Sequence, residues 1–407
     1  MPSPPAPPST GLRIQPFRAV RYDPVLAGDL SHVVCPPYDD MAPAHARALR
    51  RRPHHLARLL YAHDPNEAAG QLDRWLRRGV LRRDARPALY VYQQQRGARI
   101  TQRGLIGELD LHQDAAEWIL PHEDVRPHAV AQRAALMAGT HAQLEPLLMT
   151  YRSTKSAAAQ IVHRATGRPP VAVARSGALT HTLWACTDPV EQSLITSGLS
   201  GCRALIADGH HRYAASLRLR DRMGPGPWDR TLALLVDSTT GPLRLNAIHR
   251  VIPALEPDKA AAAAAEVARV RPLPEGPRLP GPGELVLAGG GDAWSVTDPD
   301  PGALGAALAG RPSQWHGLAA AVADRLLLAT AWSVPDLPGA VLHLHDAGEA
   351  EAVVRTPGNG TAVLLPAVSE DTVWDLATAG VMLPRKSTSF GPKPIAGLAL
   401  RVFDPAA

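Results

Sequence analysis

Cysteine, aromatic residues and long apolar runs are scarce in this chain, and each shortage removes a class of protein. Cys35, Cys186 and Cys202 are the three cysteines among 407 residues. They stand far apart, without the paired spacing of a zinc cluster or a disulfide framework. Aromatic residues make up 4% of the chain. With no aromatic-rich basic face and no long basic arm, the net charge of +5 does not indicate nucleic-acid binding. No uninterrupted apolar run approaches the length needed to span a bilayer. Residues 1–10 are rich in Pro and Ser with no apolar h-region, which reads as a flexible tail and not a signal peptide. A cytoplasmic protein is the expectation. There is no Gly-x-x-x-x-Gly-Lys-Ser/Thr loop and no Gly-x-Ser-x-Gly elbow, so a conventional P-loop ATPase and an elbow-type hydrolase are excluded. Gly289-Gly290-Gly291 has no helix-opening lysine beside it, and no internal repeat is found.

What remains is the composition of a soluble globular enzyme, 45% hydrophobic and 20% charged. The length predicts two or three substructures. The basic balance, a pI of about 9.3, comes from arginines scattered among acids and suits a phosphorylated small substrate.

Alternation and punctuation predict paired strands at Ala88 to Gln94 and Arg103 to Leu111, with further strands at Leu144 to Tyr151, Leu179 to Thr187, Leu205 to Asp208 and Leu232 to Asp237. Helices are expected at Ala44 to Leu60 apart from Pro53, Asn66 to Arg78, Ala129 to Met137, Asp258 to Val270 and Leu318 to Ala331. The fold class is therefore α/β, of the mixed-sheet α+β kind. The texture changes near Pro253 to Pro257, and the Pro-Gly-rich stretch from Arg271 to Gly283 marks a connection. The expected organisation is a tail (1–10), a phosphate- or nucleotide-binding core (11–255), an accessory α/β module (256–372) that is structural or dimerising, and a C-terminal segment (373–407) returning to the active site.

Residues 204–216 carry the strongest chemical signal. Ala204-Leu205-Ile206-Ala207 ends abruptly at Asp208-Gly209, and His210, His211, Arg212 and Tyr213 open a helix-compatible run. Asp208 is a natural N-cap candidate. Gly209 supplies a positive φ or room for a ligand. Aligning Tyr213 and Ala214 with Leu217 starts the buried stripe after the histidines, leaving His210, His211 and Arg212 at the mouth of the turn. Backbone N–H groups, the positive helix end, two imidazoles and a guanidinium suit phosphate. Asp208 or Asp39 would also serve Mg²⁺, which takes one or two carboxylates plus phosphate oxygens. Helix cap and metal ligand remain alternatives for Asp208.

The run from Asp208 to Tyr213 is similar to the Gly-Gly-Cys-His-Arg-Tyr signature of sulfiredoxins. It also resembles the Gly-x-x-Arg phosphate motif of ParB-type nucleotide-binding domains, a superfamily that includes free-serine kinases. That resemblance implies a ParB/sulfiredoxin-like core, with ATP or ADP held at the helix N-terminus by His211 and Arg212 and with Tyr213 in its matching place. His210 replaces the reactive cysteine, which argues against sulfinic-acid repair. Over nearly its whole length the chain resembles a bacterial family catalogued as a domain of unknown function. The matching segments are Pro16 to Tyr22, Pro36 to Asp39, Leu120 to Glu123, Ala207 to Tyr213 and Leu383 to Thr388 with Pro392-Lys393.

Other clusters join this reading. His122-Glu123, after Pro121, is a candidate acid/base pair, with Glu123 the better base. Arg385, Lys386, Ser387, Thr388 and Lys393 form a proline-stiffened cationic segment suited to an anion. It is expected to fold back onto His210 to Arg212. Arg18, Tyr38 and Asp39 complete the candidate substrate-binding set. The expected activity is transfer of phosphate from a nucleotide to a small hydroxyl metabolite, with serine or a serine-like amino acid as best guess. A ParB-like nucleotide-binding regulatory module and a phosphoester hydrolase using His210 as phosphate acceptor are the alternatives.

Overall fold

Strand alternation builds the core of this computed structural model, which describes residues 11–37, 41, 43–111, 115–153, 156–337 and 339–403. The chain divides into two compact units. One holds Met1–Pro121, Val125–Leu243 and Pro392–Ala407; the other holds His122–Asp124 and Arg244–Gly391. The division falls at 243/244 and 391/392, where the sequence suggested 255 and 372.

The first unit is organised by a nine-stranded mixed sheet. Its strands are β1 (Ile14–Gln15), β2 (Leu89–Arg96), β3 (Arg99–Asp110), β4 (Ile119–Leu120), β5 (Leu147–Tyr151), β6 (Ala172–Ser176), β7 (Leu179–Cys186), β8 (Ala204–Asp208) and β9 (Arg230–Asp237). They run in the order β4-β8-β5-β9-β3-β2-β7-β6, with β1 paired to β3. The β4–β8 and β5–β9 pairs are parallel and the others antiparallel. Leu89, Val91, Leu105, Leu109, Met149, Leu235 and Ile206 fill one face, with Ile161, Ile195 and Leu199 packed against them. The period of two then sends Tyr90, Tyr92 and Gln94 of β2 to the opposite face.

The returning C-terminal residues lie against that opposite face. Gln102 Nε2 donates to the Pro392 carbonyl at 2.6 Å, and the Ile395 N–H donates to Tyr92 Oη at 3.3 Å. Further along, Ala396, Leu400 and Val402 join a second core with Val20, Leu56, Leu72, Trp75 and Leu81. Helix α1 (Pro65–Arg77) contributes Leu72 and Trp75 to it and is capped by Asp64, which accepts from the N–H groups of Asn66 and Glu67. Helices α2 (Pro127–Thr140) and α3 (His210–Met223) pack through Val130, Ala134, Met137, Ala215 and Leu219.

The second unit carries a six-stranded sheet of β10 (His249–Ile252), β11 (Arg269–Pro272), β12 (Leu285–Gly289), β13 (Asp292–Thr297), β14 (Leu342–Leu344) and β15 (Thr361–Leu364). The order is β11-β13-β12-β15-β10-β14, and every pairing is antiparallel. Helix α4 (Pro257–Ala264) packs Ala260, Ala261 and Ala264 into its core with Leu327 and Val363.

Two helices differ from expectation, and a third breaks around Pro53, the residue set apart in its expected range. Ala44 to Leu60 is two short helices, Pro43–Arg50 and Ala57–Leu60, separated around Pro53, which cannot continue the hydrogen-bond ladder. The Ala-rich helix ends at Ala264, and Arg269–Pro272 is a strand because its backbone pairs with β13. Residues Val322–Ala331 form a π-helix. Among the described residues no helix is long and apolar enough to cross a membrane.

Candidate functional site: an anion cradle and a buried latch

The conspicuous turn folds as strand, glycine and helix, but its cap differs from the sequence reading. Gly209, at φ 100°, is the N-cap of α3 and provides no side-chain bond. A Cβ there would stand 3.0 Å from Leu147 Cδ2 and 3.1 Å from Arg212 Cζ, so both the backbone angle and the space call for glycine. Asp208 turns its carboxylate elsewhere. Its Oδ2 accepts from Arg212 Nη2 at 2.6 Å, and its Oδ1 lies 3.1 Å from Lys393 Nζ. Arg212 is further anchored by Nη1 on the Pro146 carbonyl. The first turn of α3 contains no acidic residue. Two cations thus converge on one carboxylate that directly precedes the helix N-terminus, whose first turn adds no further acid.

The buried stripe of α3 starts one turn earlier than the spacing suggested. His210, Tyr213, Ala215, Ser216 and Leu219 are buried, whereas Ala214 and Leu217 are half-buried. The β8 strand feeds the helix inward, which carries His210 under the turn. Burial holds the His210 imidazole at about pH 4, so it is neutral near pH 7. His211 is half-buried, and its Nε2 accepts the Arg126 N–H at 3.0 Å. Tyr213 belongs to the apolar core, and desolvation raises its phenol to about 12. Its part is packing.

Sequence reasoning missed the groups that hold Lys393. Pro392 and Ile395, on either side of it, are fixed by Gln102 and Tyr92. Tyr92 Oη is also 2.7 Å from His181 Nδ1, and the two rings stack at 6.0 Å. Gln102, Gln94 and His181 stand opposite one another across β3, β2 and β7, all buried. The available signal was Gln93-Gln94-Gln95 within a strongly apolar strand pattern, since polar residues facing a core require partners.

Within the second unit two flagged segments meet. Leu383 donates its N–H to the His122 carbonyl at 2.9 Å, and Glu123 Oε1 accepts the Lys386 N–H at 2.9 Å. His122 is wholly buried, with Nε2 at 2.9 Å from Thr388 Oγ1 and its ring edge-on to Phe390 at 5.7 Å. The Ser387 hydroxyl donates to the Pro384 carbonyl at 2.5 Å. Lys386 adopts φ 61°, and its carbonyl accepts from Arg250 Nη1 at 3.0 Å. Arg250 has no exposed surface and forks onto Asp324 through Nε and Nη2, both at 2.9 Å. This buried ion pair was also missed; an arginine inside the apolar strand His249–Ile252 was the clue. His122 acts here as a latch that closes residues 383–390 over the His122–Glu123 dipeptide, while Glu123 remains half-buried.

The proposed C-terminal cluster is therefore divided. Lys393 joins the Asp208–Arg212 turn in the first unit, whereas Lys386, Ser387 and Thr388 engage Glu123, Pro384 and His122 in the second. Arg18 is exposed and donates Nε to the Asp84 carbonyl at 2.8 Å, a structural contact. Tyr38 and Asp39 lie outside the described residues. Among the described residues no cluster of three His, Cys, Asp or Glu side chains is arranged to hold a metal ion. Mg²⁺ on Asp208 would have to displace two cations from the same carboxylate, so this arrangement does not fit the ion.

Fold and site together define a mixed α/β protein in which strand β8 runs into a turn where two cations meet one carboxylate. The chain belongs to the family described as protein of unknown function (DUF1015), whose model matches residues 14–325. No match was found among proteins of curated function. Among solved structures it is similar to a free serine kinase in complex with AMP, at 13% identity and TM-score 0.38, covering 73% of this chain and 91% of that one. It is also similar to SbnI with a C-terminal truncation from Staphylococcus aureus, at 12% identity and TM-score 0.40, covering 73% of this chain and 87% of that one. A conserved hypothetical protein from Pyrococcus furiosus matches at 13% identity and TM-score 0.37, over 72% of this chain and 94% of that one.

Proposed function

We propose that this protein is a phosphotransferase that moves phosphate from ATP or ADP to a small hydroxyl metabolite, with serine or a serine-like amino acid as the preferred acceptor. One observation carries the reading: Arg212 and Lys393 converge on the Asp208 carboxylate at the opening of a helix whose cap is a bare glycine. The carboxylate is a built-in anion, and a nucleotide phosphate offers the same two cations more charge and more acceptor oxygens. The choice of acceptor rests on the resemblance of Asp208 to Tyr213 to the motif of free-serine kinases.

Phosphoryl transfer needs positioning and charge neutralisation more than covalent chemistry from the protein. In this reading Arg212, Lys393 and the α3 N-terminus hold the phosphates, and His211 stands beside them. Glu123 is the base for the acceptor hydroxyl; His122, wholly buried on Thr388, keeps it in place. His210 is 9% exposed, which disfavours a histidine phosphate acceptor and with it the hydrolase alternative. No step is routed through a metal ion.

The test is an acceptor screen with terminally labelled ATP and ADP. Label transferred to an amino acid or another small alcohol supports the proposal. Release of inorganic phosphate alone would point to hydrolysis, and tight nucleotide binding with no turnover to a regulatory module.

A further inference from the structure

The second unit contains a cavity of about 420 Å³, within the usual range for small-molecule sites and far above a packing void. Leu285, Val296, Leu318, Val322, Leu365 and Leu383 give it apolar walls. Its polar side chains are mostly turned as acceptors. The Ser387 hydroxyl proton goes to Pro384 and that of Thr297 to Asp298, while Ser369 and Thr372 share one bond at 2.8 Å, which leaves one of their two hydroxyl protons to donate. His316 Nδ1 faces the Ser313 carbonyl at 2.9 Å and so carries its hydrogen there. Glu284 is held ionised, near a value of about 2, chiefly by its hydrogen bonds from Arg278. No lysine or arginine is among the described lining residues, and Glu370 and Asp371 follow Ser369 directly. The walls therefore offer chiefly lone pairs, with the Glu284 charge balanced by Arg278, and lack the free cations of the Arg212–Lys393 cradle.

We propose that this cavity is a ligand site of its own, for a largely apolar, uncharged small molecule carrying a hydroxyl or amino hydrogen-bond donor. Nucleotides and other anions are selected against because no lysine or arginine among the described lining residues can balance their charge. The site is also placed to be felt by the functional segment. One wall, Ala319 to Val322, runs into the π-helix that bears Asp324; another, Leu383 and Ser387, brackets Lys386. Arg250 ties the two together through Asp324 and the Lys386 carbonyl, and Lys386 in turn holds Glu123. π-Helical turns are rare and frequently lie at functional sites. The inference stands on the cavity alone and is independent of the phosphotransferase reading.

The experiment uses two matched probes on the full chain, 2-naphthol and naphthalene-2-sulfonate, followed by fluorescence titration. The expected result is saturable one-to-one binding of 2-naphthol, with the sulfonate at least tenfold weaker. Filling the cavity with Ala320→Trp should weaken naphthol binding at least tenfold while cooperative thermal unfolding is retained. If that variant does not fold, Val322→Phe, at a half-buried wall position, takes its place. Absence of saturable naphthol binding, equal or tighter binding of the sulfonate, or undiminished binding in a folded filling variant would each overturn the assignment.

Discussion

Lys393 and Asp208 form an ion pair at 3.1 Å, with side chains 13% and 18% exposed, although they lie far apart in the sequence. Arg212 completes it from the other side of the carboxylate. In so little water the pair would be expensive to leave half-made, and cheap to exchange for a better anion. Under the proposed function, Asp208 plays the part of a resident competitor, keeping both cations in place between ligands.

Removing a cation and removing the competitor should act in opposite directions. Arg212→Ala is expected to weaken phosphate or nucleotide binding by about 2–3 kcal/mol, roughly thirty- to a hundred-and-fiftyfold. Asp208→Asn, which leaves Arg212 anchored on the Pro146 carbonyl, should tighten binding of inorganic phosphate severalfold. Calorimetry on the folded variants checks both. A large loss of affinity in Asp208→Asn would reverse the role given to this carboxylate and favour a ligand-binding or metal-binding one.

Glu123→Gln keeps an oxygen able to accept the Lys386 N–H but discards the base. Nucleotide affinity should change little, and turnover with the cognate acceptor should fall by roughly a hundredfold or more. Unaltered turnover in this variant would remove Glu123 from the chemistry.

Local pattern explains which of these features could be read in advance. The strand-glycine-helix turn was legible because an apolar run, a glycine and a basic first turn are adjacent in sequence. The β2–β3 pair and α1 were legible for the same reason. The Asp208–Lys393 pair was within reach only as an expectation of return, since nothing local in Pro392-Lys393 names its partner. Arg250–Asp324 and the Tyr92–His181 brace are products of tertiary folding: each side chain alone looks like a misplaced polar residue. His210 was misplaced because helical spacing within α3 does not show that its first residue is already covered by the rest of the fold.

Acid should destabilise the fold through its buried imidazoles. Burial lowers His55, His181, His210 and His249 from an ordinary 6.5 to about 4. His55 Nδ1 accepts the Ala57 N–H and His249 Nδ1 the Leu365 N–H, so two of them also hold backbone groups in the neutral form. Between about pH 6.5 and 4 the unfolded chain binds more protons than the folded one, so stability falls as pH is lowered through that window. It is fully present above it. Each group contributes at most on the order of 3 kcal/mol. Urea unfolding at pH 7.5, 6, 5 and 4.5 should show the decline, and imidazole resonances titrating near 6.5 in the folded protein would refute its cause.

The last prediction separates placing Lys393 from merely stabilising the sheet. Tyr92 and Tyr90 lie on the same face of β2, both buried and both hydrogen-bonded through the phenol oxygen. Tyr92 accepts from the Ile395 N–H and pairs with His181, while Tyr90 pairs with Asp84 and accepts the Ala19 N–H at 3.1 Å. Loss of either hydroxyl strands buried polar groups, so Tyr92→Phe and Tyr90→Phe should each cost about 1–3 kcal/mol of stability. Only Tyr92 touches the short stretch that carries Lys393. Freed from it, that stretch keeps the Gln102 bond at Pro392 but can swing at Ile395, which costs the Lys393 ammonium its fixed position over the turn. Tyr92→Phe should therefore weaken phosphate binding about three- to tenfold, where Tyr90→Phe leaves it unchanged. Denaturant melts and phosphate titrations of the two variants, side by side, give the answer. Equal affinities in variants of equal stability would mean that Tyr92 supports the sheet and nothing more.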